Sequence, residues 1–267
     1  MFALRSKLLV LLLAVLSAVY VSCDPDGGVN LFSIQDDIEL GQQLRDEILA
    51  NPAEYPILPE AQYPQAYQHL RRIRDAVLNS GQLNHRDDFE WEVYIVRDDN
   101  TLNAFCAPGG YIFVYTGLVK FLQTEDDFAG VMGHEIAHAD RRHSTDQLTQ
   151  RYGLQTLLQV VLGDNQSQLT DIAAGLLQLG FSRRHETEAD EYSVKYLCAT
   201  DYAANGAAGF FQQLIDQGQT GQVPAFLSTH PSEDNRVQNI NQQAIDRNCD
   251  TSAHPNAQWQ AFQNSLP

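Results

Sequence analysis

The sequence predicts an α+β fold, mainly α, with a small antiparallel sheet beside one central helix. Three observations carry that prediction. Apolar residues recur at helical spacing through most of the 267 residues. The period shortens to two only between Phe89 and Tyr115, where β-formers dominate. Shortly afterwards, at Thr124, begins the best-marked helix of the chain.

The elements follow in order. A first helix is expected over Ser33–Ala50, with Ser33 as N-cap, acids in the first turn and Pro52 as the stop. Residues 51–64, rich in Pro and Tyr, read as an extended connector. A second helix is expected over Gln65–Asn79, with Ala66, Leu70, Ile73 and Val77 on one face. Phe89–Val96 alternates as a strand, and Asn103–Ala107 and Tyr111–Tyr115 flank a Pro108-Gly109-Gly110 turn as a hairpin. Beyond Gly117 the pattern is helical except for loops at 163–168, 199–205 and 218–231, and residues 145–181 read as two apolar helices.

A hydrophobic content of 43% places the chain among globular proteins. Its formal net charge of −17 argues against a nucleic-acid partner, because phosphate binding needs clustered cations. At the N-terminus Arg5 and Lys7 precede an apolar stretch, Leu8–Val21. That stretch is shorter than the roughly 20 residues of a spanning helix and fits an export signal. Residues 1–22 therefore read as a lipoprotein-type signal peptide with Cys23 as the lipidated first mature residue, although Tyr20 stands where such a motif carries Leu. An ordinary signal peptide cleaved nearby and an uncleaved anchor are the other readings. Residues 23–32 are expected as a tether and 33–267 as one catalytic domain. In an oxidising compartment Cys198 and Cys249 could bridge, while Cys106, inside a strand-like run, reads as a small buried hydrophobe.

Chemistry concentrates in the helix capped by Thr124. Glu125, Asp126 and Asp127 suit its first turn, and Arg141, Arg142 and His143 suit its negative end. Phe128, Val131, Met132 and Ile136 form its apolar stripe, and His134-Glu135-Ile136-Ala137-His138 lies within it. Residues four apart share a helix face, so His134 and His138 can present two imidazoles to one tetrahedral zinc. Glu135, about 100° round the helix, flanks the metal and can take a proton from water. A third ligand should come from another element. Ser182-Arg183-Arg184-His185-Glu186-Thr187-Glu188-Ala189-Asp190 offers Glu186 for that position, with Asp190 one turn on to accept Nδ1–H of a liganding histidine. Glu188 is expected to face away as a solvated acid, and His185 to point off the metal.

With these residues in place, the chain resembles the zincin (gluzincin) metallopeptidases of the HtpX and CAAX prenyl endopeptidase type, and within them the exported, BepA-like branch. The resemblance rests on His-Glu-x-x-His followed some 50 residues later by Ser-Arg-x-x-Glu-x-x-x-Asp, together with Asn103-Ala104-Phe105, Pro108-Gly109-Gly110, His230-Pro231 and Arg236. It implies one zinc held by His134, His138 and Glu186, Glu135 as general base and Asp190 behind the ligands. It also implies that Asn103, Ala104, Phe105, Gly109 and Gly110 line a cleft for an extended peptide. His230 would approach from a late loop, either stabilising the oxyanion or filling the open coordination position, and Arg236 would brace that loop.

The expected function is hydrolysis of internal peptide bonds in misfolded or membrane-associated proteins, on the periplasmic side of a Gram-negative cell envelope. Envelope-assembly proteins are the expected partners. A different class remains open: a chaperone or scaffold for outer-membrane assembly with gated proteolysis, the 145–181 hairpin covering the site. A metal-dependent hydrolase of a non-peptide amide would share the same residues.

Overall fold

The computed structural model describes residues 22–23, 29–30, 32–153, 171–172, 175, 180–216, 225–231, 235–255 and 257–267. Two short strands, β1 (Ser22–Cys23) and β2 (Val29–Asn30), pair antiparallel ahead of helix α1 (Ile34–Ala50). The expected tether is thus docked at its far end. The Asn30 amide donates to Thr145 Oγ1 at 3.1 Å, and Phe32 is buried. Ser33 caps α1 in a reciprocal box with Asp36, which satisfies two orphan donors of the first turn. Helix α2 (Pro64–Leu78) opens on the proline itself, whose missing N–H costs nothing at that position.

The sheet holds β3 (Val93–Val96), β4 (Ala104–Ala107) and β5 (Tyr111–Tyr115) in the order β3-β5-β4. The β4–β5 hairpin is antiparallel, as its turn predicts, but β5 inserts beside β3 in parallel register, Val93 facing Ile112. The sheet is therefore mixed rather than antiparallel. The first strand is also shorter than its alternation suggests: Trp91 takes φ 52° and its indole donates to the Arg86 carbonyl, so the chain turns before Val93. The connector lies along the outer side of β3 through the Ile57–Val96 bridge. Among the described strands β4 is paired on one side alone.

Helix α3 (Thr116–Phe121) leads to the central helix α4 (Glu125–Asp140), with Thr124 accepting from Asp127 N. The apolar stripe expected of α4 is an understatement, since nearly every residue from Phe128 to Asp140 is buried. It is a helix enclosed on all sides. Helix α5 (His143–Tyr152) follows a single left-handed residue, Arg142. Then come α6 (Arg183–Leu197), α7 (Gly206–Asp216), α8 (Ala225–Thr229), α9 (Arg236–Asp246) and α10 (Ala257–Asn264). Helix α8 stands where a loop was expected, anchored by the buried Phe226. Most of the second half of the 145–181 hairpin lies outside the described residues.

Packing explains why α4 sits where it does. A Cβ on Gly130 would overlap the Ala207 backbone, so glycine there lets α7 approach to backbone contact. One core cluster joins α2, α4, α6, α7 and α10 to one face of the sheet, with Trp259 and Phe262 packed around Phe128. A second cluster joins α1 to the opposite face through Leu40, Leu44, Phe105 and Phe113. A disulfide between Cys198 and Cys249 ties the end of α6 to the chain beyond α9.

Candidate metal centre

Four ring and carboxylate groups converge between α4, α6 and the end of α8. His134, His138, Glu186 and His230 each point a ligating atom inward, and these atoms lie within 4.8 Å of one another. His134 Nε2 is 3.0 Å from His138 Nε2 and 3.2 Å from His230 Nδ1. Glu186 reaches His138 Nε2 at 3.4 Å and His230 Nδ1 at 3.0 Å. The edge of a tetrahedron of zinc ligands at 2.0–2.1 Å is about 3.3 Å, so the spacing suits one cation. The hydrogen-bond count points the same way. A single Nε2–H on His134 cannot serve two neighbouring nitrogens, and His230 Nε2 makes no hydrogen bond although buried. Four donors of this hardness fit zinc, and no residue among them is more than 2% exposed.

Glu135 lies beside the group, as its place on the helix requires. Both of its oxygens are buried without a hydrogen-bond partner, and His230 Nε2 stands 3.4 Å from Oε1. Burial raises its pKa above the ordinary carboxylate value, partly opposed by His230 and His134. A carboxylate kept basic and unpartnered in this way is suited to accept a proton.

The supports of the two motif histidines differ. Asp190 Oδ1 sits 2.8 Å from His134 Nδ1, and Arg236 holds Asp190 through two hydrogen bonds at 2.6 and 2.8 Å. Arg236 also reaches Glu186 Oε2 at 2.9 Å, so it braces both of these carboxylates of α6. Burial alone would depress the pKa of His134, but Asp190 and Glu186 outweigh it and hold the ring charged up to about 9. A cation entering here must displace that proton. Burial would raise Glu186 and Asp190, yet His230 and the motif histidines in one case, and Arg236 with His134 in the other, keep both low. His138 is pushed well down by burial and stays neutral.

One expectation about α6 needs correction. Glu188 is not a solvated acid: its side chain is 11% exposed and pairs with Arg141 and His143. Two residues beyond Glu186 it does leave the metal, but the chain turning from α4 into α5 covers that face. His185 points off the metal as expected and is also buried, bonded to Asp146 at 2.8 Å and stacked on His143 at 4.4 Å. Arg141, Arg142 and His143, read as cations at a helix end, instead meet Glu188, Asp37 and His138.

Of the residues expected to line the cleft, Asn103, Ala104 and Phe105 run into and along β4, all buried. Ser144 Oγ donates to the Cys106 carbonyl on the same strand, which binds β4 to the start of α5. Gly109 and Gly110 are not gathered round His134. They sit at φ 74° and 86° in the hairpin turn, Gly109 against α1 and Gly110 under the Trp91 ring. Sequence reasoning missed Phe181, which stacks on His138 at 3.9 Å, and Phe226, which stacks on His230 at 4.2 Å. Phe226 lies one turn before His230 and Phe181 directly before Ser182, spacings that could have drawn attention to both.

A buried His-Glu-x-x-His helix facing a glutamate from a second helix is the arrangement of metal-dependent peptidases. The chain belongs to Peptidase family M48, whose model matches residues 64–244. It is 35% identical over 157 residues to the mitochondrial metalloendopeptidase OMA1 of Schizosaccharomyces pombe, covering 57% of this chain and 46% of that protein. It is 30% identical over 210 residues to a putative beta-barrel assembly-enhancing protease of Vibrio cholerae, covering 68% and 43%. Metalloprotease LoiP of Escherichia coli is 27% identical over 194 residues, covering 66% and 71%. The matches thus span less than half the length of the first two relatives.

Proposed function

We propose that the chain is a zinc-dependent endopeptidase of the bacterial cell envelope that cleaves misfolded or membrane-associated proteins. The observation that carries this reading is the convergence of His134, His138 and Glu186 beside the unpartnered carboxylate of Glu135. In this reading those three residues hold the zinc. Zinc bound there would polarise the scissile carbonyl and lower the pKa of an attacking water. Glu135 takes the proton from that water and returns it to the leaving amine. Asp190 fixes His134 through Nδ1. The unpaired side of β4, with Asn103, Ala104 and Phe105, offers backbone groups to an extended substrate, and Gly109 and Gly110 shape the turn that ends it.

His230 favours a gated form of the same enzyme. Its Nδ1 stands near His134 and Glu186, and its Nε2 near Glu135, which is where an attacking water would have to sit. In this resting form the open position is filled, and activity requires the end of α8 to withdraw. A scaffold role in envelope assembly fits such restraint, and the Vibrio cholerae relative is named for beta-barrel assembly. Export through the 1–22 leader, lipidation at Cys23 and a tether before the domain at 33–267 would place the enzyme on the periplasmic side of a membrane. No helix among the described residues is long and apolar enough to cross one.

The test is metal content and casein cleavage of the purified chain beside Glu135→Gln. Zinc at about one per chain in both, with cleavage lowered roughly 100- to 10,000-fold in the variant, is the expected result. Full activity in Glu135→Gln would remove Glu135 as the base. Wild-type protein that binds no zinc would favour the scaffold.

A further inference from the structure

The second motif histidine is supported in an unusual way. A liganding histidine ordinarily gives its second N–H to a carboxylate, a carbonyl or water. His134 follows that rule through Asp190. His138 instead meets another imidazole, with His143 Nδ1 3.0 Å from His138 Nδ1. The far nitrogen of that second ring, His143 Nε2, is 3.3 Å from Glu188 Oε2, and Arg141 holds the other oxygen of Glu188. His143 is only 2% exposed, and its plane is set by stacking on His185, itself bonded to Asp146.

We infer that His143 is a positioning residue for His138, relaying the carboxylate of Glu188 to it across one imidazole. The inference rests on the reading that His138 binds the metal through Nε2. An ionised carboxylate only accepts, so the hydrogen of the His143 ring belongs on Nε2. That leaves His143 Nδ1 as an acceptor. It places the hydrogen of His138 on Nδ1 and the lone pair of His138 on Nε2, toward Glu186 and His134. The order of bonds is Arg141 to Glu188, His143 Nε2–H to Glu188, and His138 Nδ1–H to His143 Nδ1.

The fold makes this relay necessary. Helix α4 ends at Asp140, and Arg142 takes the left-handed conformation, φ 61°. That one residue reverses the chain so that His143, five after His138, comes back over the ring. A carboxylate on α6 at the Glu188 position is then one imidazole too far to touch His138 itself. His143 and Glu188 have roles in this arrangement that neither a helix-end cation nor a surface acid would have.

The test compares His143→Leu, His143→Gln and Glu188→Ala with the wild-type full chain, by zinc competition against a chromophoric chelator and by the visible spectrum of the cobalt-substituted protein. Near-UV circular dichroism reports whether each variant is folded. His143→Leu is expected to bind zinc about 10- to 100-fold more weakly, with an altered cobalt spectrum. His143→Gln, whose amide can accept from His138 and donate to Glu188, should recover most of that loss. Glu188→Ala leaves both rings in place and should lose on the order of tenfold, and it carries the test if His143→Leu does not fold. Zinc affinity within twofold of wild type in His143→Leu or Glu188→Ala overturns the inference. So does a folded His143→Gln as weak as the leucine variant, because the ring would then matter only as packing. Wild-type protein without zinc affinity would instead refute the site assignment on which the inference rests.

Discussion

Beneath the four converging atoms, His134, His138 and Glu186 stand on two long helices; above them, His230 comes from the end of a helix of five residues. The lower side is over-determined. Each of its residues has a helical spacing behind it, and His134 and His138 each reach a carboxylate, directly or through one ring. The upper side has much less. His230 N donates to Phe226 O at 2.7 Å, its ring stacks on Phe226, and Phe181 N donates to the neighbouring Thr229 carbonyl. The difference teaches where the centre can open. Moving His134 means unpairing the Asp190–Arg236 pair behind it, whereas moving His230 breaks its contact with Glu186 and separates aromatic rings and a short turn.

The largest expected effect comes from breaking the lower side at Arg236. Arg236→Met leaves Asp190 and Glu186 buried without their cation, and breaking a buried pair in this way costs about 3–5 kcal/mol. Urea unfolding of the metal-free protein should show that loss, and zinc affinity should fall with it. A variant as stable as wild type would mean that the lower side is less constrained than its geometry implies.

A smaller effect is expected from the Cys198–Cys249 bridge, which joins the ends of the helices that carry Asp190 and Arg236. The sulfurs are 51 residues apart in sequence, and removing a cross-link over such a loop costs about 2–4 kcal/mol. Replacing both cysteines with alanine should lower the free energy of unfolding in urea by that amount, moving the midpoint to lower urea. An unchanged midpoint would show that the packing of α6 and α9 needs no covalent tie.

The same contrast separates what could be read in the sequence from what could not. His134, Glu135, His138, Glu186 and Asp190 are legible because each pair lies at a fixed helical interval, and a helix converts that interval into a shared face. The caps at Ser33 and Thr124 are legible for a similar reason, since they act within one turn. Glu188 and His143 were misread because their partners arrive from another helix through the left-handed turn at Arg142, and nothing local encodes that reversal. The parallel pairing of β3 with β5 escaped notice likewise, because alternation fixes which face a residue takes and not which strand lies beside it.

His230 is the point at which the comparison can be broken most cleanly. If the upper side only occupies the centre, removing its imidazole should raise activity and leave the lower ligands able to hold zinc. A resting form in which roughly a tenth of molecules are open limits the rate about tenfold. His230→Ala should therefore cleave casein up to about tenfold faster than wild type, with zinc content unchanged. The opposite result is equally informative. A fall comparable to that of Glu135→Gln would mean that His230 acts on the transition state, with Nε2 beside Glu135 serving the developing charge. The upper side would then be a working half of the centre, and opening would have to occur at β4 or α5 instead.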